Sequence, residues 1–203
     1  MMTKTDLAAR LRNACAAVIA AEQELTEIDS KFGDADHGLT MSKIARAITE
    51  AVDQSEGGIQ AMLDDAAMAV MVLNGGSAVP LWNTWLDGLQ EEAPEGNEID
   101  TAGIQAIFAK ALKALSDMSG AKVGDKTMMD ALIPASQAIA AYSGSDEAGL
   151  FDAAAQAALQ GAEASKQFVS KFGRAKSYGE QTIGTPDAGA ASMAYFFQGL
   201  ARP

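Results

Sequence analysis

The chain has 203 residues, 48% of them hydrophobic, and a formal net charge of −12 at pH 7. This length suits one well-buried core, so we expect a single domain spanning 1–203. The acidic surface repels nucleic acid and anionic lipid, which excludes both as expected partners, and a bound nucleotide would have to bring cations with it.

Helical periodicity predicts eight helices, and no stretch shows the apolar–polar alternation of a strand, so the expected fold class is all-α. In chain order the predicted helices are 6–25, a second carrying Ile44, Ile48 and Val52, 59–73, one starting near Pro80, 101–118, 126–142, a seventh from about 146 to 172, and 190–200. The longest strongly apolar run, 66–73, is too short to cross a bilayer, and with no signal-peptide pattern at the N-terminus we expect a cytoplasmic protein.

Four of the seven connections between these helices are rich in Gly, Asp, Ser or Thr. They are connections one, three, five and seven, at 29–38, 74–79, 119–126 and 173–189. In an up-and-down bundle all odd-numbered connections lie at the same end. The sequence therefore predicts one composite site at one rim of a helical barrel.

The first of these connections holds three carboxylates, Asp29, Asp34 and Asp36, within eight residues. Brought together without a counter-charge they would repel one another, and hard oxygen ligands of this kind suit magnesium or calcium rather than zinc. Gly33 and Gly38 permit the tight turns that such a loop needs. A solvated turn is the alternative, since Asp and Gly are ordinary loop residues.

The other polar residues of these connections suit phosphate. His37, the single histidine, lies inside the acidic loop, and Arg174 in the seventh connection offers a planar set of donors. Asn74-Gly75-Gly76-Ser77 precedes a helix start, where backbone N–H groups attract anions. The stretch 120–127, GAKVGDKT, is not a P-loop, because Asp125 interrupts the Gly-Lys-Thr succession and a helix precedes it.

Together the four loops resemble the L-subunit family of dihydroxyacetone kinases. The resemblance rests on Asp29 with 33–38 (GDADHG), on 124–128 (GDKTM), and on 173–175 (GRA) followed by 187–189 (DAG). Gly75-Gly76 with Pro80-Leu81 supplies the remaining loop, and the matches run in family order along nearly the whole chain.

The resemblance implies an eight-helix antiparallel barrel with ADP or ATP at one end and two Mg²⁺ ions held by Asp29, Asp34 and Asp36. It implies His37 and Arg174 as catalytic residues. The implied nucleotide contacts are His37, Gly38, Thr40, Ser77, Ala78, Gly120, Met128, Arg174, Asp187 and Gly189. It further implies phosphoryl transfer to a small ketose held by a separate K-subunit, with a phosphotransferase-system phosphoprotein as a second partner in one branch of the family.

Three positions depart from the family pattern. Ala35 and Ala188 stand where the family usually has Gly and Pro, and Val79 stands where it usually has Gly. Two other functions remain open: a nucleotide-bound regulatory module that docks on a transcription regulator, and the related nucleotide domain of fatty-acid kinases, which we expect as the N-terminal part of longer chains.

Overall fold

The computed structural model describes residues 1–203 and contains nine α-helices. Their bounds are α1 Lys4–Ala20, α2 Glu22–Ser30, α3 His37–Gln54, α4 Ile59–Met71, α5 Ala78–Glu91, α6 Thr101–Ser119, α7 Met129–Ala141, α8 Glu147–Ala164 and α9 Ala188–Leu200. Only Ala21 separates α1 from α2, so this pair corresponds to the first predicted helix and the chain has eight helical stretches. The prediction of an all-α, eight-helix fold is confirmed.

The helices form a closed antiparallel ring. Each stretch packs against the next along the chain, and α9 returns to pack against α1, which closes the barrel. The 52 buried apolar residues form one continuous core. Its centre is a set of edge-to-face aromatic rings, of which Trp85 and Phe196 are 5.5 Å apart at 85°. None of the helices combines the length and apolarity that a membrane crossing requires.

The two ends of the barrel are different. Connections two, four and six lie at one end together with the N-terminus, where Lys4 Nζ donates to the carbonyls of Ser55 and Gly57 and a two-residue strand pair joins 2–3 to 98–99. The sequence analysis predicted no strand, so this short pair is a difference from the prediction. Connections one, three, five and seven lie at the opposite end, as predicted.

Three helix boundaries differ from the prediction. The first predicted helix continues to Ser30 as α2 rather than ending at residue 25, so Asp29 lies in the last turn of a helix. The sixth predicted helix begins at Met129 rather than at residue 126, because Lys126 has a positive φ of 60° that no α-helix accommodates. The seventh ends at Ala164 rather than near 172; a 3₁₀ turn, Ser165–Gln167, and an extended stretch follow it. The last long connection also contains a 3₁₀ segment, Arg174–Thr182, which is interrupted at Gly179.

Candidate nucleotide and metal site

All four odd-numbered connections line one cavity of about 380 Å³ at the end of the barrel. Helices α3, α5, α7 and α9 all begin at this end, so four helix N-termini, with their positive dipole ends, surround the cavity. Such helix starts suit phosphate groups, but four aspartates share the same lining, so a bound polyphosphate would need accompanying cations.

Most of the predicted nucleotide-contacting residues line this cavity: His37, Thr40, Ser77, Ala78, Met128, Arg174, Asp187 and Gly189. Gly38 and Gly120 are not in the wall. A Cβ at Gly38 would lie 2.1 Å from the Glu22 carbonyl oxygen, so this glycine allows α3 to approach α2. Gly120 ends α6 in the left-handed conformation, with φ 65°.

The acidic loop is organised by Asp29, at the end of α2. Its Oδ2 accepts hydrogen bonds from the backbone N–H groups of Asp36 (3.1 Å) and His37 (3.3 Å), so it caps the start of α3 from across the loop. Gly33 packs directly on this carboxylate, because a Cβ there would lie 2.0 Å from Asp29 Oδ1. The loop therefore needs glycine at 33 for close contact.

The three predicted metal ligands lie together. Asp29, Asp34 and Asp36 each offer a carboxylate oxygen within 4.8 Å of the others. Desolvation raises the pKa of Asp36 above its ordinary value, and the charge and hydrogen bonding of Asp34 and the charge of Asp29 add to the rise. Such mutual repulsion is what a divalent cation would relieve, and an all-oxygen donor set suits Mg²⁺. The residues present therefore fit the metal that the sequence predicted.

Ala35 occupies a strained conformation between two of these carboxylates. Its φ is 60°, in the left-handed region where residues other than Gly, Asn and Asp are uncommon. The other two departures cause no such strain. Val79 is buried within α5, and Ala188 is the first residue of α9, a position where proline is equally tolerated.

His37 faces both the acidic loop and the last helix. Its Nε2 lies 3.1 Å from Ser192 Oγ on α9. Burial lowers the pKa of His37, against the opposing effects of the Asp29 carboxylate and a hydrogen bond to the Ala188 backbone. The neutral imidazole is thus favoured, which suits a hydrogen-bonding role better than that of a fixed cation.

Arg174 reaches the acidic loop from the seventh connection. Its guanidinium Nη2 lies 2.7 Å from Asp34 Oδ2, and both groups are exposed to solvent. Next to this ion pair the rings of Phe32 and Tyr178 pack with centroids 5.2 Å apart. These two contacts join the first and seventh connections, so the predicted cation and the predicted carboxylates belong to one site.

Asp187 and Trp82 complete the opposite wall and the floor. The Asp187 Oδ2 accepts the N–H of Ala190 at 2.8 Å and so caps α9. Burial raises the pKa of Asp187 to about 7, and the nearby Asp130 adds to the rise. The Trp82 side chain, only 1% exposed, lies beneath the cavity.

Two buried charged residues lie near this wall: Lys126, which the sequence analysis included only as part of the motif 124–128, and Asp130, which it did not single out. Asp130 is fully buried and accepts the N–H groups of Gly124 (2.6 Å) and Thr127 (2.7 Å). The spacing of Thr127 and Asp130 is that of a capping box, a signal that would have identified the carboxylate. Nothing in the sequence pattern shows that the Lys126 side chain is buried.

This geometry agrees with comparisons to known proteins. The model of the DAK2 domain family matches residues 31–202. The chain belongs to the DAK2 domain family. The predicted resemblance to dihydroxyacetone kinase L-subunits is thereby confirmed, because the ADP-binding subunit DhaL of the PEP-dependent dihydroxyacetone kinase of Escherichia coli is 28% identical over 197 residues, 92% of this chain and 91% of the subunit.

Some longer proteins match this chain at higher sequence identity. A D-erythrulose kinase of Mycolicibacterium smegmatis is 38% identical over 194 residues, and an L-erythrulose kinase of Pectobacterium atrosepticum is 35% identical over 198 residues. Each match covers 93% of this chain but 33% of the relative. This DAK2 chain thus spans about a third of the length of those kinases.

The fold is also that of a solved kinase. The native dihydroxyacetone kinase of C. freundii superposes with a TM-score of 0.75 at 26% identity, covering 96% of this chain and 34% of that one. The same kinase in complex with AMP-PNP and Mg²⁺ gives a TM-score of 0.71 at 24% identity. Both likenesses support the barrel described above.

Proposed function

We propose that residues 1–203 form the ADP/ATP-binding domain of a ketose kinase, which presents Mg²⁺-nucleotide to a ketose held on a separate domain or subunit. One observation carries this proposal: three clustered carboxylates, an arginine and four helix N-termini line the same cavity. Phosphoryl transfer relies mainly on positioning and charge neutralisation. It therefore requires metal ligands and hydrogen-bond donors to phosphate in the same place.

Asp29, Asp34 and Asp36 are the proposed ligands of two Mg²⁺ ions. When bound, these ions would offset the negative charge of the phosphates and of the three carboxylates. Asp29 has a second function, because its bonds to the backbone at 36 and 37 fix the loop before any ligand arrives. The relative crystallised with AMP-PNP and Mg²⁺ supports the choice of metal.

The remaining wall residues bind and orient the nucleotide. Arg174 would leave Asp34 to contact a phosphate, and His37 would donate or accept a hydrogen bond as a neutral imidazole. The starts of α5 and α9 offer backbone N–H groups at Ala78 and Gly189. Gly38, in the first turn of α3, and Gly120, directly after α6, stay proposed contacts of the nucleotide at the edge of this cavity.

We propose that the domain or subunit that holds the ketose docks on the cavity end of this chain. Most of the exposed large apolar side chains of the chain belong to that end: Leu39, Met71, Val72, Met118, Val123, Phe172, Tyr178 and Ile183. Such a concentration is typical of an interaction surface. The erythrulose kinases are about three times as long as this chain, which leaves room for a second domain in them.

A four-carbon ketose is the first substrate to test. The relatives at 34–38% identity are named erythrulose kinases, whereas the dihydroxyacetone kinase subunits match at 28–29%. The name PEP-dependent attached to those subunits makes recycling of tightly bound ADP by a phosphoprotein a second possibility for this chain. Nucleotide that survives gel filtration, identified by mass spectrometry, would favour recycling over free exchange.

The test measures binding first and turnover second. Calorimetry with Mg²⁺ and ADP should give binding that Asp34→Asn and Asp36→Asn abolish, while Asp65→Asn, an exposed acid on α4, leaves it unchanged. Turnover is then measured with a ketose-binding partner, ATP, and either erythrulose or dihydroxyacetone. Absence of Mg²⁺-dependent nucleotide binding in the unaltered chain would refute the proposal. Binding without turnover on any triose or tetrose would point instead to the regulatory module.

A further inference from the structure

Lys126 combines two unfavourable features at the wall of the cavity. Its backbone has a φ of 60°, and its side chain is buried, with 4% exposure. A left-handed conformation is unfavourable for an L-residue, and burying a charged group adds a desolvation penalty. A residue that served only to fill space would carry neither cost, so the position of this ammonium calls for a specific role.

The ammonium joins two connections that the chain separates. Lys126 Nζ donates to the backbone carbonyl of Ser165 at 2.7 Å and to that of Thr185 at 2.5 Å. These acceptors lie at the two ends of the segment that leads from α8 to α9. Burial lowers the pKa of Lys126, whereas the carboxylates of Asp187 and Asp130 oppose this shift and favour the charged form.

From this ammonium a chain of hydrogen bonds leads to the start of α9. The Ser165 hydroxyl accepts the N–H of Asp187 at 2.9 Å and donates to the Ala162 carbonyl at 2.6 Å. Asp187 in turn caps α9 through Ala190. The start of α9 is therefore linked to Ser165 through Asp187, and Ser165 is linked to Lys126 through its backbone carbonyl.

The other side of Lys126 is equally fixed. Asp130 holds the backbone of the fifth connection at Gly124 and Thr127, on both sides of Lys126 in the chain. Gly161 of α8 packs against the carbonyl of Asp130, since a Cβ there would lie 2.0 Å from that oxygen. The ammonium thus links two braced segments rather than a flexible loop.

We propose that Lys126 is a positioning residue for nucleotide binding, whose ammonium holds the fifth and seventh connections together and so places the α9 N-terminus in the cavity wall. This inference rests on the proposed function. The positive charge of the Lys126 ammonium has a second effect, because a cation near Asp187 reduces the negative potential that a phosphate would meet at that wall.

The test compares Lys126→Met, which keeps the aliphatic stem, with Lys126→Arg, which keeps the charge. The control is Lys122→Met, an exposed lysine of the same connection. Calorimetry measures the Kd of Mg²⁺-ADP and, separately, of Mg²⁺ alone, and urea unfolding measures stability. We expect Lys126→Met to weaken Mg²⁺-ADP binding by about ten-fold, because the start of α9 is no longer held in place before the ligand binds. Mg²⁺ alone should bind as before, because its ligands lie on the first connection.

Lys126→Arg should recover part of the affinity, and Lys122→Met should lose none. In the assembled kinase the KM for ATP should rise while kcat stays close to that of the unaltered protein. A Lys126→Met protein that is less stable but binds Mg²⁺-ADP with unchanged affinity would overturn the proposal.

If Lys126→Met does not fold, Ser165→Ala decides the matter, because it breaks the link to Asp187 and leaves the ammonium in place. We expect a several-fold weaker Kd for Mg²⁺-ADP, and an unchanged Kd would again overturn the proposal. Failure of the unaltered chain to bind Mg²⁺-ADP is a different result, since it refutes the proposed function itself.

Discussion

Replacing Ala35 by glycine should stabilise the protein, contrary to the usual effect of this substitution. The φ of 60° at Ala35 costs about 1–2 kcal/mol in an L-residue, and glycine removes this strain. The added flexibility of the unfolded chain offsets about 0.4–1 kcal/mol of that gain. The net expectation is a rise of about 0.5–1 kcal/mol in the free energy of unfolding, or about 1–4 °C in Tm for a domain of this size.

Urea denaturation of the metal-free protein, followed by circular dichroism at constant pH, measures this difference. The matched control is Ala109→Gly, at an exposed position in the middle of α6, where glycine should lower the free energy of unfolding by about 1 kcal/mol. The reasoning is wrong if both substitutions destabilise the protein by similar amounts, because the backbone at 35 would then carry no strain that glycine can release.

Three further changes test the site. Gly33→Ala should abolish Mg²⁺ binding, measured by calorimetry, because its Cβ would lie 2.0 Å from Asp29 Oδ1. Arg174→Met should strengthen binding of Mg²⁺ alone by a few-fold, since it frees Asp34 from an exposed ion pair, yet weaken binding of Mg²⁺-ADP. In the unaltered protein, Asp187 should make the free energy of unfolding fall as pH rises from 3.8 to about 7. Asp187→Asn should abolish this fall, as measured by urea unfolding at several pH values.

The sign of the last effect follows from the raised pKa of Asp187. The folded protein holds this proton more tightly than the unfolded chain, so stability from this group is full at low pH and is lost as pH rises through 7. Asparagine caps a helix as well as aspartate does, so capping is kept while the titration disappears.

The control for Gly33→Ala is Gly96→Ala, where a Cβ meets nothing within 4 Å. Mg²⁺ binding that is reduced equally in both variants would contradict the steric argument.

The topology of the site was predictable from the sequence, because all odd-numbered connections of an up-and-down bundle lie at the same end. Periodicity located eight helical stretches, and the polar composition of the odd-numbered connections then placed Asp34 and Arg174 at one end although 140 positions separate them in the chain. Their ion pair at 2.7 Å confirms that inference. No side-chain geometry was needed, since an up-and-down bundle leaves no other place for these loops.

The parts that were not predictable depend on single backbone angles and on burial. Periodicity continues the sixth helix back to residue 126, and only the positive φ of Lys126 stops it at Met129. Composition likewise gives no sign that this lysine is buried, because lysine in a Gly-rich loop is normally exposed. Gly38 and Gly120 show a second limit: the sequence does not reveal that one lets α3 approach α2 and that the other ends α6 in a left-handed conformation.

The seam of the barrel explains why this site forms only in the complete fold. The first and seventh connections are far apart in the chain, and they become neighbours because α9 packs against α1 and α2 and closes the ring. The Arg174–Asp34 ion pair and the Phe32–Tyr178 contact both cross this seam. The exposed ion pair contributes less than about 1 kcal/mol, so it cannot hold the seam closed; the buried helix packing does. Ligand that bridges the acidic loop and the α9 N-terminus would therefore add to the stability of the seam, by an amount set by its concentration relative to its Kd.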